Sequence, residues 1–173
     1  LTAHLGLAIA IYGYVLWLAL GLLYPAQGKV EWAPLRRFGI AVTALVFFMA
    51  LSGGFVAGTK AGYAFNTFPL MNGRFVPEGM FGMAPWWVNL FENIATVQFG
   101  HRLVAYALLA AIPAFWWRAR RFDLAPRARA LLHALLAVLL LQVALGIATL
   151  IYIVPVALGA AHQAGALLLF SLA

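Results

Sequence analysis

Three histidines, His4, His101 and His162, fall near the starts of apolar segments that enter the same side of a membrane. Ionisable side chains inside a bilayer are costly unless partnered, so they mark sites. Neutral imidazole is a common metal ligand, and two imidazoles from opposing bundle helices can serve as the axial ligands of a six-coordinate haem iron. Three histidines at one depth therefore point to metal or haem-iron ligation. The alternative is that they hydrogen-bond across helices. Gly165, Ala166 and Ala105 would then serve close helix contact rather than space for a flat macrocycle. His133 lies apart, beside an arginine-rich loop, and reads as interfacial rather than as a ligand.

These residues need membrane helices to position them. The chain has 173 residues, 66% of them hydrophobic and 9% charged, with mean hydropathy +0.99. Soluble domains average about 45–50% apolar and about 25% charged residues, so the composition indicates an integral, polytopic membrane protein. Five apolar runs are expected as helices, at about 1–23, 38–57, 94–117, 130–153 and from 156 onward. They lack period-2 alternation and are too long for barrel strands, so the fold class is all-α. The absence of cysteine excludes disulfides, thiolate metal sites and cysteine nucleophiles. No phosphate-cradling glycine loop, Ser-His-Asp set or HExxH motif is present.

The charge of +7 reads as a topology signal. The first connection carries Lys29, Arg36 and Arg37 against Glu31, and the third carries Arg118, Arg120, Arg121, Arg127 and Arg129 against Asp123. Both fall on one side, which the positive-inside rule makes cytoplasmic. The second connection, with Lys60, Arg74, Glu78 and Glu92, is neutral and lies outside. Basic residues confined to short loops without a binding module argue against a nucleic-acid partner. On this orientation His101 and His162 lie about 10 Å and about 9 Å below the outer face, and His4 is near that face too. Arg102 follows His101 and has no acidic neighbour within a helical turn. It could pair with a haem propionate or snorkel to the interface and lipid.

Ala3-His4-Leu5-Gly6 is echoed 158 residues later by Ala161-His162-Gln163-Ala164. The echo suggests two four-helix units, the first span ending one and the other four forming the second. The expected organisation is residues 1–24 as the last helix of an N-terminal bundle, 25–37 as a cytoplasmic loop, and 38–173 as a C-terminal four-helix bundle with an outer loop at 58–93. The chain opens inside an apolar helix and stops inside another, which predicts further sequence, mainly in front of Leu1. The outer loop is rich in Gly, Asn and Pro, as an ordered, turn-rich loop would be. Residues 85–93 read as a short amphipathic interfacial helix. The loop either caps a cofactor pocket or is a plain interfacial connection. Gln142 either lines a pocket or hydrogen-bonds a neighbouring helix, and Pro113 suggests a kink.

Several ordered segments strongly resemble the haem A synthase family. They are Gly53-Gly54-Phe55-Val56-Ala57-Gly58, Ala64-Phe65-Asn66-Thr67-Phe68-Pro69-Leu70-Met71-Asn72-Gly73-Arg74, Phe91-Glu92-Asn93, Gln98-Phe99-Gly100-His101-Arg102, Gly146-Ile147-Ala148-Thr149-Leu150 and Ala161-His162-Gln163. The resemblance spans essentially the whole chain, which would cover about the last five of the family's eight helices. It implies two pseudo-symmetric four-helix bundles, with His101 and His162 as axial ligands of a haem b cofactor in the second. It implies that His4 belongs to the haem O substrate site of the first bundle, with a second histidine and a required glutamate upstream of Leu1. The implied reaction oxidises a porphyrin methyl of haem O to formyl, giving haem A for terminal oxidases. Partners implied are haem O, haem O synthase, oxidase assembly factors and lipid, in a bacterial inner membrane. By this implication the isolated piece is inactive. Gly100 stands where family members usually carry Asp or Asn. The functions weighed against this one are a b-type cytochrome subunit that only transfers electrons and a haem carrier without catalysis.

Overall fold

The computed structural model describes residues 1–24 and 33–173. Among these lie five α-helices: α1 Thr2–Leu23, α2 Ala33–Gly58, α3 Ile94–Ala119, α4 Pro126–Ile151 and α5 Val156–Leu172. Four are long and apolar enough to cross a membrane, and α5 is a shorter apolar helix of 17 residues. The chain is therefore an all-helical, multi-pass membrane protein.

Local chemistry sets the helix ends. The side chain of Asn93 caps α3 by accepting from the Thr96 N–H at 3.0 Å. Pro126 opens α4 at a position where its missing N–H costs nothing. Helix α2 starts at Ala33, five residues before the expected boundary, with Pro34 in its first turn. Arg36 and Arg37 are thus helical rather than in a loop. A 26-residue helix rises about 39 Å, longer than ~30 Å of hydrocarbon, so its end can carry arginines into the headgroup region. The rest of that expected loop, with Lys29 and Glu31, lies outside the described residues. Helix α4 starts four residues early and ends two early, at Ile151. Beyond it Ile153 and Val154 adopt φ of 60° and 55°, a left-handed pair that β-branched residues rarely form. The Val154 N–H bonds the Thr149 carbonyl at 2.8 Å and closes the α4–α5 turn.

Helices α2 to α5 form a ring in which α2 and α4 each pack on α3 and α5. This makes α3 and α5 the diagonal pair. Helix α1 lies outside the ring against α2, with a lesser contact to α5. Tyr12 Oη lies 2.8 Å from Ser171 Oγ, and Gly54 gives room for Thr2 and Leu5. The buried core is Val42 and Val46 of α2, Leu108 and Ile112 of α3, Leu135 and Leu139 of α4, and Leu169 of α5. Val46 and Leu139 lie at mid-helix, and the other five of the seven sit toward the arginine-bearing end. There Arg120 stacks 4.5 Å over the Trp116 ring, and His133 meets Trp116 edge-on while its Nδ1 lies 2.7 Å from the Arg129 carbonyl.

The connection between α2 and α3 is folded, not slack. It contains short 3₁₀ turns at Ala61–Tyr63 and Trp86–Leu90, the latter in place of the expected amphipathic α-helix. Asn89 is fully buried and explains that turn. Its Oδ1 accepts from Met83 N–H, and its Nδ2 donates to the Met83 and Trp86 carbonyls. Asn66 donates to the Gly62 carbonyl and, at 3.1 Å, to that of Leu150 at the end of α4. The connection is thus tied across the ends of the bundle helices.

Candidate functional site: two imidazoles on the diagonal helices

His101 lies seven residues into α3 and His162 six into α5. These are the diagonal helices, entered from the same end. Both rings therefore lie in one layer of the bundle, one to two helical turns in from that end. His101 Nδ1 lies 2.7 Å from Ser52 Oγ on α2. The ring also lies against Gly53, where an added Cβ would stand 3.4 Å from Cε1. His162 lies against Gly146 of α4, where a Cβ would stand 2.9 Å from its Cε1, too close for any other residue without displacement. His162 Nδ1 is buried without a hydrogen-bond partner among the described residues.

Gln142, four residues before Gly146, donates from Nε2 to the His162 carbonyl at 2.7 Å. It therefore hydrogen-bonds the neighbouring helix, the second of its two expected roles, and Gly165 is the notch that admits its Oε1. That is a different use for Gly165 from making space beside the histidine. A helix carbonyl normally serves its own helix, so this bond to α5 fixes α4 against the very turn that carries His162.

Arg102 donates from Nη1 to the carbonyls of Pro69 and Leu70, at 3.2 and 3.5 Å. From Nη2 it donates to those of Phe65 and Thr67, at 3.2 and 2.9 Å. Gln98, one turn earlier on α3, donates to the same Phe65 carbonyl at 3.1 Å. The loop is thus pinned to the turn of α3 beside His101, like a lid. Five carbonyl bonds to two side chains do this, and no carboxylate neutralises the guanidinium among the described residues. Gln98 Oε1 stays buried and unpartnered. Gly100 has open space where a Cβ would stand, so nothing around it requires glycine there.

His4 is not part of this constellation. It is exposed on α1, outside the ring. His133 lies at the opposite end of α4 from Gly146. Two cavities, of about 440 and 420 Å³, open at the arginine-bearing end and touch neither His101 nor His162.

The donor set has a definite chemistry. Among the described residues no three His, Asp or Glu converge on one point, so a bare ion would find only two protein ligands. Two imidazoles suit a metal that brings its other donors with it, as haem iron brings four ring nitrogens. The glycines beside both rings and the unpartnered His162 Nδ1 fit such a group. Sequence reasoning overlooked Ser52 as a site residue and gave Gly53 and Gly146 no role of their own. A depth count finds them. Ser52 stands six residues before the end of α2 and Gly146 five before the end of α4, the same layer as the two histidines.

The fold and the site define a multi-pass helical membrane bundle with one imidazole on each of its two diagonal helices. The comparisons are narrower. A family model described as cytochrome oxidase assembly protein, COX15-CtaA, matches residues 1–173, and the chain belongs to that family, the haem A synthase family. It is 52% identical to a heme A synthase of Nitrosospira multiformis over 176 residues, covering 100% of this chain and 49% of that protein. It is 43% identical to heme A synthase COX15 of Bos taurus, covering 100% of this chain and 43% of that one. For heme A synthase COX15 of Homo sapiens the identity is 42%, with 99% and 42% covered. The chain thus spans about half the length of the curated relatives it matches. No solved structure matches it.

Proposed function

We propose that this chain is the part of a haem A synthase that holds a haem b between His101 and His162, in a protein that oxidises a methyl of haem O to the formyl of haem A. The observation that carries the proposal is that those two imidazoles stand at one depth on the diagonal helices, beyond the main apolar cluster of the bundle. When bound between His101 and His162, such a haem would supply one-electron transfer. The chain's own residues provide its setting. Gly53 and Gly146 admit the rings, Gln142 fixes the His162 turn, and Gln98 and Arg102 hold the loop over the site and keep water from it. The uncompensated charge of Arg102 suits a propionate nearby.

Substrate oxidation belongs to the other bundle. His4, exposed on α1 and turned out of the four-helix ring, is the residue of this chain assigned to the substrate haem iron. The partners are then haem O, the enzyme that makes it, and the oxidase assembly machinery that receives haem A. Identity of 52% to a bacterial relative, against 42–43% to the mammalian ones, favours a bacterial inner membrane, with the histidines near its outer face. The test is expression of the full-length protein in a host that makes haem O but not haem A. Haem A should appear with the wild type and be lost with His101→Ala. Absence of haem A with a well-expressed, haem-loaded wild type would refute the assignment.

A further inference from the structure

Ser52 sits between two groups that make different demands on it. Its Oγ lies 2.7 Å from the Met49 carbonyl and 3.8 Å from Met49 Sδ, neither of which can supply a proton. It also lies 2.7 Å from His101 Nδ1. A hydroxyl has one proton. Given to the Met49 carbonyl, it leaves Oγ facing His101 with lone pairs alone. The hydrogen between Oγ and Nδ1 must then come from the imidazole. No protein group does the same for His162, whose Nδ1 has no partner among the described residues.

We propose that Ser52 is a positioning residue that fixes His101 as the Nδ1–H tautomer, so that the Nε2 lone pair is the one offered to iron. The inference rests on the ligation proposed above. An acceptor on the outer N–H of a ligating histidine orients the ring and raises its basicity. A more basic ligand favours ferric over ferrous iron. The two histidines are therefore unequal, and Ser52 is the lever on one of them.

The experiment is an equilibrium redox titration, with absorption and electron paramagnetic resonance spectra, of the full-length haem-loaded protein. Ser52→Ala should stay low-spin but shift the haem b equilibrium toward ferrous by about tenfold, ~59 mV for a one-electron couple. Ser52→Thr keeps the hydroxyl and should titrate as the wild type does. Ser52→Val has the shape of threonine without the hydroxyl, and should either shift as alanine does or fail to hold haem b. Equal behaviour of the Thr and Val variants overturns the proposal, whether or not Ser52→Ala loads haem. An unmoved potential in a low-spin Ser52→Ala protein overturns it too. His101→Ala separates this failure from the larger one: a normal low-spin spectrum in that variant removes the ligand itself, whereas its loss, with Thr and Val alike, removes only Ser52.

Discussion

The two halves of the bundle are built on opposite principles. From mid-bundle to the arginine-bearing end, seven apolar side chains from all four ring helices close on one another, and Ile112 has no exposed surface. Toward the loop-bearing end the same helices present two imidazoles, glycines at their rings, a serine and two glutamines, with three of the four unpartnered buried polar atoms among the described residues, the fourth being Trp116 Nε1. A half packed with aliphatic side chains maximises contact and excludes other occupants. A half of small and polar groups gives up that contact, and natural proteins give it up chiefly at functional sites. Stability and site thus come from different stretches of the same four helices.

Mutations that strike one half should leave the other's property alone. The largest effect is expected from Gly146→Val, whose side chain would occupy the place of the His162 ring. It should abolish haem b retention in the full-length protein, measured as haem per protein, while the helical content stays that of the wild type. Haem content above half the wild-type value would break the comparison. Next is Ile112→Ala in the packed half, which should destabilise by about 2–4 kcal/mol through the cavity it leaves. Thermal unfolding in detergent would report that loss, with the haem spectrum unchanged at low temperature. A spectral change as large as that of the glycine variant would mean that the halves are not separate. Smaller again is Arg102→Gln, which removes bonds from a cation to four lid carbonyls and should cost about 1.5–3 kcal/mol. Its signature is faster proteolysis within the loop at residues 59–93, with the core melting as before. Unaltered cleavage would show that the loop is held by Asn66 and Asn89 without it.

Much of the fold was legible because each helix is a single apolar run bounded by Pro, Asn or charge. All five helices lie where hydropathy puts them. The boundaries that moved are those where charge or turn geometry competes with hydropathy. Arg36 and Arg37 look like loop residues but extend α2 past the hydrocarbon, and Ile153 looks helical yet ends α4 in a left-handed turn. The histidine pair was visible because an imidazole in an apolar run stands out. Its support was not, because serine and glycine are common in membrane helices and carry no such mark. Only counting depth from each helix end puts Ser52 and Gly146 beside the rings. The role of Arg102 was hidden for another reason. Backbone carbonyls leave no trace in a sequence, so a cation satisfied by four of them reads as unpaired.

The central claim is that His101 and His162 hold one iron between them. The direct measurement is the absorption and electron paramagnetic resonance spectrum of haem b in the purified full-length protein, wild type beside His101→Ala and His162→Ala. The account predicts a six-coordinate low-spin signal in the wild type and its loss in each single variant. A normal low-spin signal surviving in either variant would contradict it.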